Sequence, residues 1–276
     1  DGTYVVRGGR PLVRGSLGSF DVQLATGGTP LALGAMLTPP IDRFDLVVDL
    51  GTPRLLQQAM PPLGYYAPGP DPAARATLAD VLPEMRGEFE KPKYFNYNPE
   101  ICAHGRSGKR GCTRCIDACP AEAIVSLGEK VQVNPYLCQG GGTCATGCPS
   151  GAMTYAYPAP GDLLYAVQRL LRDYRDAGGT SPSLLFHDSA SGAALVDDFV
   201  ATMPERILPV AIEEIGSVGM DTWLASLAYG AETVVLLTCD ATPPQVIETL
   251  QEQLAIAQAI LAGMGYPEGR LRLVNG

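Results

Sequence analysis

Hydrophobic and polar positions divide this 276-residue chain into three stretches of different rhythm. From residue 160 onward, apolar positions alternate between helical spacing and short continuous runs. The leucines of GDLLYAVQRLLRDYRDAGG (161–179) recur at helical spacing, and a glycine pair ends the segment. SLLF (183–186) then reads as a strand, ALVDDFVATM as a helix and ILPVAI (207–212) as a buried strand. MDTWLASLAYGA is a helix, ETVVLLT (232–238) a strand, PPQVIETLQEQLAIAQAILAGMG a long helix and RLRLV a final strand. Strand–helix alternation with strands apolar throughout predicts a C-terminal α/β open parallel-sheet domain over residues 159–276, with helices on both faces.

The first stretch has shorter apolar runs. YVV (4–6), FDVQLA (20–25) and FDLVVDL (44–50) are separated by GGRP, GSLGS, TGGTP and LTPP. This predicts a β-rich N-terminal scaffold that passes through a Pro/Gly-rich linker ending at residue 93. Within the linker, Asp71 followed by Pro72 predicts a helix with an aspartate N-cap and proline at its first position. The aromatics Tyr94, Phe95 and Tyr97 lead into the middle stretch, where they can shield a buried centre or simply pack a core.

That middle stretch, residues 94–158, holds seven of the eight cysteines. It contains Cys102, Cys112, Cys115 and Cys119-Pro120, then Cys138, Cys144 and Cys148-Pro149. A cysteine, a three-residue gap and a Cys-Pro pair occur twice, about 30 residues apart, followed by AEAI and SGAM. Iron–sulfur clusters are held by thiolates at such spacing, and the last cysteine of each run serves the other cluster. A disulfide framework requires an exported chain, and no cleavable signal sequence is visible. Zinc favours paired Cys-x-x-Cys knuckles, and only Cys112 and Cys115 make one.

Two departures from the regular pattern matter. Nine residues separate Cys102 from Cys112, an extension whose loop-closure cost is small. His104, Arg106, Lys109 and Arg110 make this insert a local positive patch, suited to raising a cluster potential or docking an acidic partner. In the second run, Gly141 stands where a ligand should be. Crossed ligation then gives one centre of Cys102, Cys112, Cys115 and Cys148, expected to hold a 4Fe–4S cluster. The other has Cys119, Cys138 and Cys144, expected to hold a 3Fe–4S cluster or a 4Fe–4S cluster with a non-cysteine group on its fourth iron.

Net charge is −9 and is concentrated in residues 156–276, which carry 6 basic and 15 acidic residues. Such a surface repels nucleic acid. No uninterrupted apolar run approaches a membrane span, and iron-binding thiols with no export signal predict a cytoplasmic location. The C-terminal stretch has neither a G-x-G-x-x-G after a strand nor a P-loop. Gly216, Gly219 and Asp221 follow the ILPVAI strand, where ligands of open sheets collect, and His187 is similarly placed. Cys239 reads as a lone structural thiol.

The cysteine segment resembles the bacterial two-cluster ferredoxins, which implies an α+β ferredoxin-like iron–sulfur domain. The stretch EEIGSVGMDTWLASLAYGAETVVLLTC with GYPEGRLRLV is similar to the delta (iron–sulfur) subunit family of methyl-viologen-reducing hydrogenases. Members of that family carry a 2Fe–2S cluster on several cysteines, whereas here only Cys239 remains. The resemblance implies an electron-transfer module that exchanges single electrons with a dehydrogenase, hydrogenase or flavoprotein and is not itself a catalyst. The rival expectations are an oxidoreductase subunit with a substrate or flavin site in the C-terminal domain, and a redox- or oxygen-sensing regulatory module.

Overall fold

Turn residues, more than long apolar runs, set the architecture of the first part of the chain. The computed structural model describes residues 3–105 and 111–276, which form two units, Asp1–Lys91 and Pro92–Gly276. In the first unit, β1 (Arg10–Arg14), β2 (Asp21–Ala25) and β3 (Leu31–Ala32) make an antiparallel sheet in that order. β4 (Val47–Val48) pairs in parallel with β5 (Tyr65–Tyr66). Their core is Val13, Phe20 and Tyr65, packed by Val22, Phe44, Leu55 and Leu56.

The strand expected at 4–6 does not form, and Val5 is 75% exposed. The strand forms instead at RPLVR, whose proline is tolerated because β1 pairs on one side only. Over 44–50, only Val47–Val48 is strand, with Phe44 bridged to Phe20. α1 (Pro72–Val81) begins as the local sequence predicts, with Ala73 N–H donating to the Asp71 carboxylate at 2.9 Å.

The second unit opens with the cysteine-rich segment. Its elements are β6 (Phe95–Tyr97), α2 (Arg114–Asp117), β7 (Ile124–Leu127), β8 (Lys130–Val133), α3 (Thr143–Thr146) and β9 (Met153–Tyr155). β7 and β8 form a hairpin, while β6 pairs antiparallel with β9, the far end of the segment.

The chain continues as α4 (Pro160–Asp176), β10 (Ser183–Asp188), α5 (Ser191–Phe199), β11 (Ile207–Ile212), α6 (Met220–Ala228), β12 (Thr233–Thr238), α7 (Pro244–Gly263) and β13 (Leu271–Asn275). The four strands are parallel in the order β11-β10-β12-β13. Alternate residues face opposite sides, as the period of a strand requires. Leu184, Phe186, Val234 and Leu236 pack with α4, α6 and α7 around Trp223, while Leu185 and Leu237 pack with Val196 of α5. Among the described residues, no helix is long and apolar enough to cross a membrane.

Asp49 anchors the first unit. It is buried and accepts Gly51 N–H at 2.8 Å, Leu55 N–H at 2.6 Å and the Tyr65 hydroxyl. Burial opposes its charge, but these donors outweigh burial and hold its pKa below the ordinary value of 3.8. A lowered folded-state pKa gives stability that is complete above the unfolded value and lost as pH falls through the folded one. Asp49→Asn is therefore expected to cost about 1–3 kcal/mol at neutral pH. Its deficit relative to the native chain should shrink below pH 3.8, measured by urea unfolding followed by circular dichroism. A pH-independent deficit would contradict this account.

Candidate metal centre

The cysteine-rich segment is built twice from the same parts. Asn98-Pro99-Glu100-Ile101-Cys102 in the first half matches Asn134-Pro135-Tyr136-Leu137-Cys138 in the second. Asn98 Oδ1 accepts Glu100 N–H at 3.0 Å, and Asn134 Oδ1 accepts Tyr136 N–H at 2.9 Å. Each asparagine starts a turn that ends on a cysteine. This Asn-Pro repeat was readable in the sequence, but attention to cysteine spacing alone passes over it.

A single helical turn follows in each half, α2 carrying Cys115 and α3 carrying Cys144. The turns close alike, with Ala118 N–H to Arg114 O and Gly147 N–H to Thr143 O, both at 2.9 Å. Cys119 and Cys148 come next, and three residues beyond each the backbone turns left-handed, at Glu122 (φ 50°) and Gly151 (φ 66°). Such a turn aims successive amides at one point and makes an anion-binding nest. Ala123 N–H reaches Cys119 Sγ at 3.4 Å, and Met153 N–H reaches Cys148 Sγ at 3.5 Å.

The halves are interleaved. Asn98 N–H donates to Ala152 O and Asn134 N–H to Ala123 O, each at 2.8 Å, so each half caps the end of the other or of its own hairpin. Thr143 Oγ1 donates to Ala118 O at 2.8 Å, tying α3 to α2. Cys115, Cys119, Cys144 and Cys148 share one apolar cluster with Ile124, Val131, Met153, Phe95 and Tyr97.

The buried thiols act on one another across the two halves of the segment. Burial pushes the Cys115 thiol up to about 11, and the thiols that add to the shift are Cys112, Cys102 and Cys148. Burial raises Cys144 further, and there the leading thiol neighbours are Cys119 and Cys138, with Cys115 behind them. Cys119 is also raised by burial, against the opposing amides of Ala123, Ala121 and Glu122, and its thiol neighbour is Cys138. At Cys148 burial is outweighed by the Met153, Ser150 and Ala152 amides and the Ser150 hydroxyl, which hold the thiol below its ordinary value. Burial and a hydrogen bond to the Cys102 sulfur raise the Tyr97 phenol.

Among the described residues, no three His, Cys, Asp or Glu side chains converge closely enough for one metal ion. Tetrahedral zinc holds its sulfurs about 2.3 Å away, and so about 3.8 Å from one another. A polynuclear cluster takes one thiolate per iron, and seven cysteines, with amides donating to the Cys119 and Cys148 sulfurs, are a donor set of that chemistry.

The long insert between Cys102 and Cys112 is closed at its neck. Gly111 N–H donates to His104 O at 2.8 Å and Cys112 N–H to Ala103 O at 3.0 Å. The His104 ring, 1% exposed, bridges Cys112 O through Nδ1 and Ser126 Oγ through Nε2, both at 2.7 Å. His104 is thus a buried clasp and not part of a solvent-facing positive patch; Arg106, Lys109 and Arg110 lie outside the described residues. The clasp draws the two ends of the nine-residue spacer together beside Cys102 and Cys112.

Gly141, at the position lacking a cysteine, lies between Gly140 and Gly142, both at φ 79°. A Cβ on Gly140 would sit 2.8 Å from the Tyr94 ring, and one on Gly142 would sit 2.3 Å from Ser217 Cα. Gly216 approaches from the other side, where a Cβ would lie 2.4 Å from Gly141 O. Thr146 Oγ1 donates to Gly216 O at 3.1 Å, and a Cβ on Gly219 would meet Thr146 Cβ at 2.9 Å. The glycines after the ILPVAI strand therefore let the loop into Gly141–Thr146, which accounts for them without a nucleotide. Burial, with Asp188 and Glu213 adding to it, pushes the Glu214 carboxyl up to about 7. Tyr155 donates to Gly140 O at 2.9 Å. Its phenol, like that of Tyr94, is raised by burial first, then by Glu213 and more weakly by Glu214 and Cys138.

The remaining candidates are committed locally. Asp188 accepts Ala190 and Gly192 N–H at 3.0 Å, at the start of α5, and His187 Nδ1 lies 3.0 Å from Asp188 O. Cys239 is buried with its sulfur 3.6 Å from Thr242 Oγ1. His104→Ala would leave Ser126 and the Cys112 carbonyl without their partner, an expected loss of about 1–3 kcal/mol. Thermal unfolding of the metal-free chain measures it, and an unchanged melting temperature would show the clasp to be idle.

No protein-family model matches this chain and no curated protein matches it.

Proposed function

We propose that this chain is an iron–sulfur electron-transfer protein that relays single electrons between redox proteins such as a dehydrogenase, a hydrogenase or a flavoprotein. The observation that carries the reading is the doubled cysteine turn, whose Cys115, Cys119, Cys144 and Cys148 meet in one apolar cluster with backbone amides donating to the Cys119 and Cys148 sulfurs. Cys102, Cys112, Cys115 and Cys148 would hold a 4Fe–4S cluster, and Cys119, Cys138 and Cys144 a 3Fe–4S or 4Fe–4S cluster. Bound there, such clusters supply reversible one-electron transfer.

The chain's own residues support that chemistry in identifiable ways. The amides at Cys119 and Cys148 donate to sulfur, which offsets the negative charge of a thiolate-bound centre and tunes its potential. Ile124, Val131, Met153, Phe95 and Tyr97 keep the shared interior apolar, which slows attack by water on acid-labile sulfide. The reading carries a reducing compartment, the cytoplasm, with it, since thiols must stay unoxidised to bind iron.

Anaerobic purification, iron and sulfide analysis and electron paramagnetic resonance test the reading. Seven to eight irons per chain, at about one cluster per thiol group, are expected. Cys119→Ala should remove the signal of the Cys138/Cys144 centre and leave that of the Cys102 centre. Loss of the Cys102 signal instead would refute the crossing, and a chain purified with zinc and no sulfide would refute the function.

A further inference from the structure

The carboxyl end of β11 opens on a cavity of about 300 Å³ between the cysteine-rich segment and the α/β sheet, both of which belong to the second unit. Ligands of open parallel sheets bind at this place, and small-molecule sites reach down to about this size. The apolar wall is made by Met153, Pro158, Leu163, Ile212 and Met220. Of the seven thiols in the segment only Cys148 lines it, so it is not the space between the thiols.

The polar wall is the first turn of α6, where Gly219 supplies no side-chain cap, together with Gln253 of α7. Two buried polar groups here lack partners. Thr222 is 2% exposed, and its hydroxyl has no hydrogen bond among the described residues. Gln253 is 8% exposed, and Met220 N–H donates to its Oε1 at 3.2 Å, which fixes the amide and leaves Nε2 buried without a partner. A buried donor left unpaired is costly, so this pair in a cavity wall calls for an acceptor from outside the chain. Asp221, on the same turn, is exposed and makes no ion pair among the described residues. A Cβ on Gly219 would stand 3.0 Å from Gln253 Oε1 and 3.1 Å from Asp221 Oδ1, so the amide and the carboxylate flank one point.

Going beyond the electron-transfer reading and independent of it, we propose that this cavity binds a small uncharged heterocycle through a lactam edge, a ring carbonyl beside a ring N–H. The buried Gln253 Nε2 donates to the carbonyl, and the exposed Asp221 carboxylate accepts the N–H nearer the rim. The Thr222 hydroxyl bonds a further ring heteroatom, and the apolar wall covers the ring. Charge argues against an anion, because no Lys, Arg or His lines the cavity. Asp221 already sits in the first turn of α6, where it answers the partial positive charge of the helix N-terminus. A phosphate would meet that carboxylate and no cation, so the ligand is a free ring and not a nucleotide held by its phosphate. Two kinds of ring carry the required edge, pyrimidine bases and the isoalloxazine of flavins.

Isothermal titration calorimetry of the full chain with uracil, with riboflavin and with inorganic phosphate tests this. At least one of the two rings should bind at a single site, and phosphate should not. Thr222→Val, Gln253→Met and Asp221→Asn should each weaken that binding by about 3- to 10-fold, the loss of one hydrogen bond. Circular dichroism and fluorescence of the single tryptophan, Trp223, show that each variant is folded. A second comparison needs no variant: the N3-methylated form of the ring that binds keeps its carbonyls, lacks the N–H and should bind about 10-fold more weakly or worse.

Binding of uracil alone supports the proposal and assigns a pyrimidine base, binding of riboflavin alone supports it and assigns a flavin ring, and binding of both supports the shared edge. Failure of both rings to bind, or binding of phosphate in their place, overturns it. So does a methylated ring that binds as well as its parent, or binding that none of the three substitutions weakens. Iron analysis of the same protein reports on the electron-transfer reading, which none of these outcomes decides.

Discussion

β6 pairs with β9, so the first strand of the cysteine-rich segment is held by the last, and everything between must close into a ring. Thr143 fastens α3 to the carbonyl that ends α2, and the two asparagine amides seal the ends. The four cysteines on and after those helical turns then meet in one apolar interior, where burial alone would make thiolates unstable. Amides answer that penalty unevenly: at Cys148 they win, and at Cys119 they do not.

Much of this arrangement was legible in the sequence because it rests on local rules. The doubled Cys-Pro spacing corresponds to two like helical turns, and the alternation of apolar strands and helices after residue 160 corresponds to a parallel sheet whose inner strands, β10 and β12, are the buried ones, while ILPVAI, expected to be buried, is an edge strand with only Ile212 buried. The Asp71-Pro72 start of α1 also follows from adjacent residues. The first 50 residues were read less well, because short strands depend on partners. YVV has strong β-propensity but no neighbour to pair with, while RPLVR has a proline and pairs with β2.

What stayed hidden depends on residues far apart in the chain. His104 looks like one charge in a basic insert, and only its bonds to Cys112 and to Ser126, 22 residues away, make it a clasp. Gly216 and Gly219 look like part of a nucleotide crevice, yet their missing side chains let the loop approach Gly141–Thr146. The same approach gives a physical reason for glycine at 140 and 142, whose side chains would strike Tyr94 and Ser217. The α/β part is therefore a wall of the second thiol group as well as a sheet with its own core.

The central claim is the crossing of the two halves, and its most direct test is an anomalous difference map at the iron edge from anaerobically grown crystals. The account predicts two separate iron centres, one bounded by Cys102, Cys112, Cys115 and Cys148, the other by Cys119, Cys138 and Cys144. A single centre, or one in which Cys119 joins Cys102, Cys112 and Cys115, would contradict it.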